Sequence, residues 1–120
     1  MKKKTLVMGA SLNPARYSNF VISRLVSHGH QVVAFGLRSG NVSGIEIDTE
    51  LKNYEAIDTV TLYLNPTRQE QYYEYIIGLQ PKRVIFNPGT ENPEFYQLLK
   101  DANIDFEVAC NLVLLSTNQY

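Results

Sequence analysis

The chain has 120 residues, 44% of them hydrophobic and 19% charged, a balance that supports one packed domain over residues 1–120 and excludes long disorder. A formal net charge of −1 provides no basic field for a nucleic-acid backbone or an anionic membrane, so any anion must be held by local groups. The single cysteine, Cys110, excludes an internal disulfide; with no leader-like segment and no apolar run of bilayer length, it suits a reducing cytoplasm.

Lys2, Lys3 and Lys4 precede the first apolar run, Leu6 to Met8, and read as its solvated flank. That run ends in Gly9. Phe20, Ile22, Leu25 and Val26 then form a helical stripe closed by Gly29, and the helix starts either at Asn13 with Pro14 in its first turn or at Ser18 as N-cap. Gln31 to Phe35 is a second strand, ending in Gly36. Residues 37 to 57 break the pattern, with only Ile45-Glu46-Ile47 and a short run near Leu51 to suggest an extra strand and a loop.

Thr59 to Leu64 is β-branched and aromatic and stops at Asn65-Pro66, a helix start that leads to Tyr72, Tyr73, Ile76 and Ile77. Arg83 to Phe86 is the fourth strand. After it, Asn92-Pro93 opens a helix carrying Phe95, Leu98, Leu99 and Ala102, and Asp105 to Val108 is a weaker fifth strand. Cys110 to Ser116 fits a sixth strand or a terminal helix equally well. The tyrosines read as partly buried core or as a surface for a homodimer or another protein partner.

Strands and helices in alternation predict an α/β fold: a Rossmann-like, doubly wound, mostly parallel five-stranded sheet with helices on both faces, ordered 3-2-1-4-5. Ligands of such sheets bind outside the carboxyl ends of the strands. The residues there are Gly9-Ala10-Ser11 through Ser18, Gly36-Leu37-Arg38, Asn65-Pro66-Thr67-Arg68 and Asn87-Pro88-Gly89-Thr90-Glu91-Asn92. Small residues let a phosphate approach the backbone, helix N-termini donate to it, and Arg16, Arg38 and Arg68 offer planar forks matched to phosphate oxygens.

A dinucleotide fingerprint is missing, since no second glycine follows Gly9 before Gly29 and no acid stands at the second strand's end to hold a ribose hydroxyl. Arg38 suggests a phosphorylated ribose instead, which NADP and coenzyme A both carry. Metal ligation is not supported by one cysteine and two histidines. His28 and His30 fall at the edge opposite the proposed site, Glu91 reads as a helix-start carboxylate, and no catalytic constellation is found.

Gly9-Ala10-Ser11-Leu12-Asn13-Pro14-Ala15-Arg16-Tyr17-Ser18 resembles the G-A-S-x-x-P-x-R-x-S loop of the CoA-binding domain family, stand-alone relatives of the amino-terminal domain of the succinyl-CoA synthetase α subunit. Val84 to Pro93 is similar to that family's strand and N-P-G-T-E-N loop. The resemblance implies that Gly9, Ala10, Ser11, Arg16 and Ser18 surround the phosphates of coenzyme A, with the adenosine across the second strand's end; Pro14 of the same motif and Gly36, Leu37 and Arg38 at that strand end are counted with the binding residues. It implies Leu64, Asn65 and Pro66 along the pantetheine arm, and Asn87, Gly89 and Glu91 at its far end. The chain departs from the family's P-x-N-P turn, having Ala34-Phe35-Gly36-Leu37-Arg38 there, so Arg38 is a substitute contact rather than a matched one.

The expected function is binding of coenzyme A or an acyl-CoA without catalysis. The alternative is a small NADP-dependent oxidoreductase or a nucleotide-responsive redox regulator of related fold.

Overall fold

The computed structural model describes residues 2–120. Seven strands form one sheet in the order β3-β4-β2-β1-β5-β6-β7. They are β1 (Thr5–Ala10), β2 (Val32–Gly36), β3 (Gly40–Val42), β4 (Ile45–Asp48), β5 (Thr59–Leu62), β6 (Arg83–Phe86) and β7 (Asp105–Val108). Neighbours pair in parallel except β3 and β4, an antiparallel hairpin at one edge.

The count corrects the expected five, and the order is corrected with it. Ile45–Asp48 pairs in parallel with β2 and takes the place outside it, while Thr59–Leu62 pairs with β1 on the other side. Two residues of pairing, Ala34 with Ile47 and Phe35 with Asp48, hold β4 to β2. Ile47, wholly buried against the α1 side of the sheet, explains why so short a run is a strand: it covers core that would otherwise meet water.

Helices lie on both faces. On one, α1 (Tyr17–Ser27) and α5 (Asn111–Ser116) bury Val21, Ile22, Leu25 and Leu115 against Val7, Ala34 and Ile47. On the other, α2 (Pro66–Gln69), α3 (Tyr73–Gly78) and α4 (Pro93–Asp101) bury Ile76, Phe95 and Leu99 against Leu6, Met8, Val60, Leu62, Val84 and Phe86. The alternation of Leu6 and Met8 on one side with Val7 on the other is the period-two pattern of a strand buried on both faces. The tyrosines expected in the core are there: Tyr72, Tyr73, Tyr75 and Tyr96 pack against the α3 and α4 side and Tyr63 against the α1 side, and Tyr96 stacks on Phe106.

Local expectations change in several places. The buried stripe of α1 is Val21, Ile22 and Leu25, and Phe20 stays half exposed. The helix starts at Tyr17 with Arg16 as N-cap, because residues 13–15 are spent on a side-chain turn in which Asn13 Oδ1 accepts from the Ala15 N–H at 2.9 Å. Cys110 to Ser116 resolves as a helix that begins after Cys110. The lysine flank is tied down: Lys2 donates to the His28 carbonyl, Lys3 to the Tyr120 carbonyl and Lys4 to the Glu55 carbonyl at 2.7 Å. No helix of the described residues is long and apolar enough to cross a membrane.

Candidate functional site

Three strand ends meet in close backbone contact. Gly9, with φ +93°, makes a bulge in the pairing of β1 with β2; a β carbon there would stand 3.1 Å from the Tyr63 carbonyl carbon. At Gly36 a β carbon would come within 2.3 Å of the Ala10 carbonyl oxygen. Only glycine lets these chains approach so closely.

The loop that follows is held from within. Asn13 N–H donates to Ser11 Oγ at 3.1 Å, and Asn19 Nδ2 donates to the Ser11 carbonyl at 3.0 Å. No side chain caps the first N–H groups of α1, and no acid stands in its first turn. The Asn19 N–H donates to the Arg16 carbonyl at 3.1 Å, and the Tyr17 and Ser18 N–H groups stand at the positive end of the helix dipole, where an anion is favoured.

A cleft of about 530 Å³ lies above this edge. Gly9, Ala10, Ser11, Arg16 and Ser18 line it from the first loop and helix, Gly36, Leu37 and Arg38 from the end of β2, and Leu64 from beyond β5. Arg68 also reaches it, so all three strand-end arginines are brought together. The ion pairs among the described residues are Lys52 with Asp48 and Arg83 with Glu107, both formed by residues outside the cleft. Three guanidinium groups therefore share one cleft with no carboxylate bonded to any of them.

Pro14, Asn65, Pro66, Asn87, Gly89 and Glu91 lie outside the cleft lining. Asn65 caps α2, its Oδ1 accepting from the Arg68 N–H at 3.0 Å, with Pro66 at the first helical position. Asn87 is buried, and its amide is used internally: it donates to Thr61 Oγ1 at 2.8 Å and to the Leu62 carbonyl at 2.9 Å, and accepts from the Asn111 N–H at 2.8 Å. Glu91 accepts from the Gly89 N–H at 2.8 Å, closing the turn where Gly89 has φ +92°. Pro88 is the residue of this loop that faces the cleft.

Sequence reading did not single out Phe35, Tyr63, Tyr72, Leu12 and Tyr17 as cleft residues, yet all line it. For Tyr17 the signal was present, since it stands between Arg16 and Ser18 in the loop. Of the lining residues, Tyr17 and Leu37 are each 72% exposed, large apolar surfaces open to solvent. The Tyr63 hydroxyl is buried without a partner, as is the Asn111 amide. Burial, reinforced by the neighbouring Cys110 thiol, holds the Tyr63 phenol above its ordinary range, so it remains a neutral donor. No group of His, Cys, Asp and Glu that could hold a metal occurs among the described residues.

Residues 3–116 match the family model of the CoA binding domain. The chain belongs to that family. This CoA binding domain is 45% identical to a solved uncharacterized protein, with a TM-score of 0.97 over 100% of this chain and 99% of that one. A hypothetical protein from Pyrococcus horikoshii OT3 is 29% identical, with a TM-score of 0.80 over 91% of this chain and 77% of that one. A Thermus thermophilus protein at 24% identity shares the fold, with a TM-score of 0.86 over 99% of this chain and 91% of that one. Among curated proteins none matches significantly.

The geometry fits the group that the family's description names. A glycine-lined loop, an uncapped helix N-terminus and three unpaired arginines suit a ligand with several phosphates. Leu64, Tyr72 and Pro88 add less polar surface to the lining of the same cleft.

Proposed function

We propose that the protein binds coenzyme A or an acyl-CoA in this cleft and performs no chemistry of its own. The observation that carries the reading is the convergence of Arg16, Arg38 and Arg68 on one cleft, unpaired, in a chain of net charge −1. Arginine forks gathered in one cleft suit a ligand that carries more than one anionic group. Gly9, Ala10, Ser11 and Ser18 bring backbone and hydroxyl donors to the pyrophosphate, and Arg38 takes the 3′-phosphate at the end of β2. Tyr17 and Leu37 cover the adenine, and the pantetheine arm runs by Leu64 and Pro88. Asn65, Pro66, Asn87, Gly89 and Glu91 shape that passage through the turns they hold rather than by facing the ligand, and Pro14 does the same for the phosphate loop.

Ligand-induced stabilisation tests this directly. A ligand that binds only the folded state adds RT ln(1 + [L]/Kd), about 2.7 kcal/mol at 100 times Kd. For a domain of this size that raises Tm by roughly 10 °C. The expected outcome is such a rise with coenzyme A or acetyl-CoA, a smaller one with dephospho-CoA, and little with NAD. NADP offers a phosphorylated ribose without the pantetheine arm; if it stabilised the protein more than coenzyme A at matched concentration, the reading would fail.

A further inference from the structure

Gln69 is wholly buried at the last position of the short helix α2. Its Nε2 donates to the Leu64 carbonyl at 2.8 Å and to the Thr90 carbonyl at 2.8 Å, and its Oε1 accepts from Asn92 Nδ2 at 3.0 Å. Both amide hydrogens and the amide oxygen are thereby used. Asn92 Nδ2 donates also to Tyr73 Oη at 2.7 Å, while its Oδ1 accepts from the Phe95 N–H at 3.3 Å. Beyond Thr90 the chain of bonds continues, because Thr90 Oγ1 donates to the Asn87 carbonyl at 2.8 Å and Asn87 is anchored on Thr61.

This relay joins the segment after β5 to the segment after β6. The first supplies Leu64, Arg68 and Tyr72 to the cleft, and the second supplies Pro88. Neither Gln69 nor Asn92 lines the cleft, and the loop from Gly9 to Ser18 takes no part in the relay. A fully satisfied buried polar network has one low-energy arrangement, whereas a broken one leaves carbonyls without donors.

We propose that Gln69 and Asn92 are positioning residues that set the separation of these two walls, and so govern affinity for the arm of the ligand that extends beyond its phosphates. The proposal rests on the coenzyme A reading and adds a division of labour to it. Phosphate capture belongs to the β1 loop, and recognition of the pantetheine arm depends on the relay.

The experiment uses Asn92→Asp, which keeps an oxygen to cap the Phe95 N–H and removes both Nδ2 donations. Calorimetry is run with coenzyme A and with adenosine 3′,5′-bisphosphate, which lacks the pantetheine arm. The wild type should prefer coenzyme A. In the variant, affinity for coenzyme A should fall about tenfold, the scale of one buried hydrogen bond, while affinity for the bisphosphate should be retained. Equal losses for both ligands, or an undiminished preference for coenzyme A in a folded variant, would overturn the proposal. Failure of the wild type to bind either ligand would instead overturn the coenzyme A reading beneath it. Amide exchange without ligand gives an independent readout: the N–H groups of residues 89–91 should exchange faster in the variant and those of the loop from Gly9 to Ser18 should not, and unchanged exchange at 89–91 counts against the relay. If Asn92→Asp does not fold, Gln69→Glu takes its place in both measurements, since it retains the bond from Asn92 and weakens the hold on the two carbonyls.

Discussion

Arg16, Arg38 and Arg68 come from three different loops, and each is exposed and free of a carboxylate partner. An exposed arginine in water gains little from a remote charge, but a guanidinium bonded to a phosphate gains a charge-assisted pair. Arg16→Ala should therefore weaken coenzyme A binding by about 1.5–3 kcal/mol. Arg24→Ala is the control: it removes the same charge from the other end of α1, outside the cleft, where the guanidinium lies over the Phe20 ring. Calorimetry on both variants separates a phosphate contact from a general change of charge; equal losses would remove Arg16 from the site. The arginines were legible because strand-end positions can be listed once strands are placed. Tyr63 and Phe35 were not, because residues at the end of a strand read as core until the neighbouring loops are known to leave a cleft above them.

Among the elements, the strand ends show the tightest constraint. A methyl at Gly36 would meet the Ala10 carbonyl oxygen, a backbone atom that cannot rotate away. Gly36→Ala should destabilise the fold by about 1–3 kcal/mol, the usual cost of overpacking, and should lower ligand affinity by shifting the β1 loop. Gly78→Ala makes the comparison: Gly78 is the last residue of α3, and nothing lies within 4 Å of a β carbon there. That substitution should be neutral or stabilising by up to about 1 kcal/mol. Thermal denaturation of the pair decides whether the effect at Gly36 is steric or merely the loss of a glycine. The helix over residues 66–78 was expected as one element, and it is instead α2, a 3₁₀ turn over Glu70–Tyr72 and α3. Asn65-Pro66 announced its start correctly, whereas the break falls at Tyr72, whose backbone leaves the helical region at φ −109° and ψ 1°, and no local pattern marks it.

At the level of the molecule, the two edges of the sheet differ in character. The carboxyl edge carries the cleft, and the amino edge carries His30, whose Nδ1 accepts from the Lys3 N–H at 2.9 Å and whose ring meets Tyr120 edge-on. Burial, then the charges of Lys2, His28 and Lys3, hold the His30 pKa below its ordinary value. The unfolded chain thus binds a proton at His30 more readily than the folded one. Its contribution to stability is present above about pH 6.5 and is lost as pH falls through the lower folded value. The wild-type Tm should drop more between pH 7.5 and 5 than that of His30→Asn, while the loss of coenzyme A affinity over that range should be the same in both, because the cleft lies at the other edge. An equal drop in Tm for the two proteins would show that His30 does not couple to folding.

Alternating apolar runs, Asn-Pro helix starts and glycines at strand ends determined that this chain folds as an α/β layered sheet with glycines and polar residues gathered at one edge, because these signals are local and follow the periods of strand and helix. The side-chain caps from Asn65 and Asn92 are of the same kind, each made within three residues of the helix start. The tertiary structure alone decided the rest. The four-residue strand Ile45–Asp48 was legible as a suggested extra strand at Ile45-Glu46-Ile47, but its place beside β2, where Ile47 covers the core, was not. The same holds at the site: whether a strand-end residue faces the cleft, as Pro88 does, or turns inward to hold it, as Asn87 does, depends on partners that are distant in sequence and meet only when the sheet has closed.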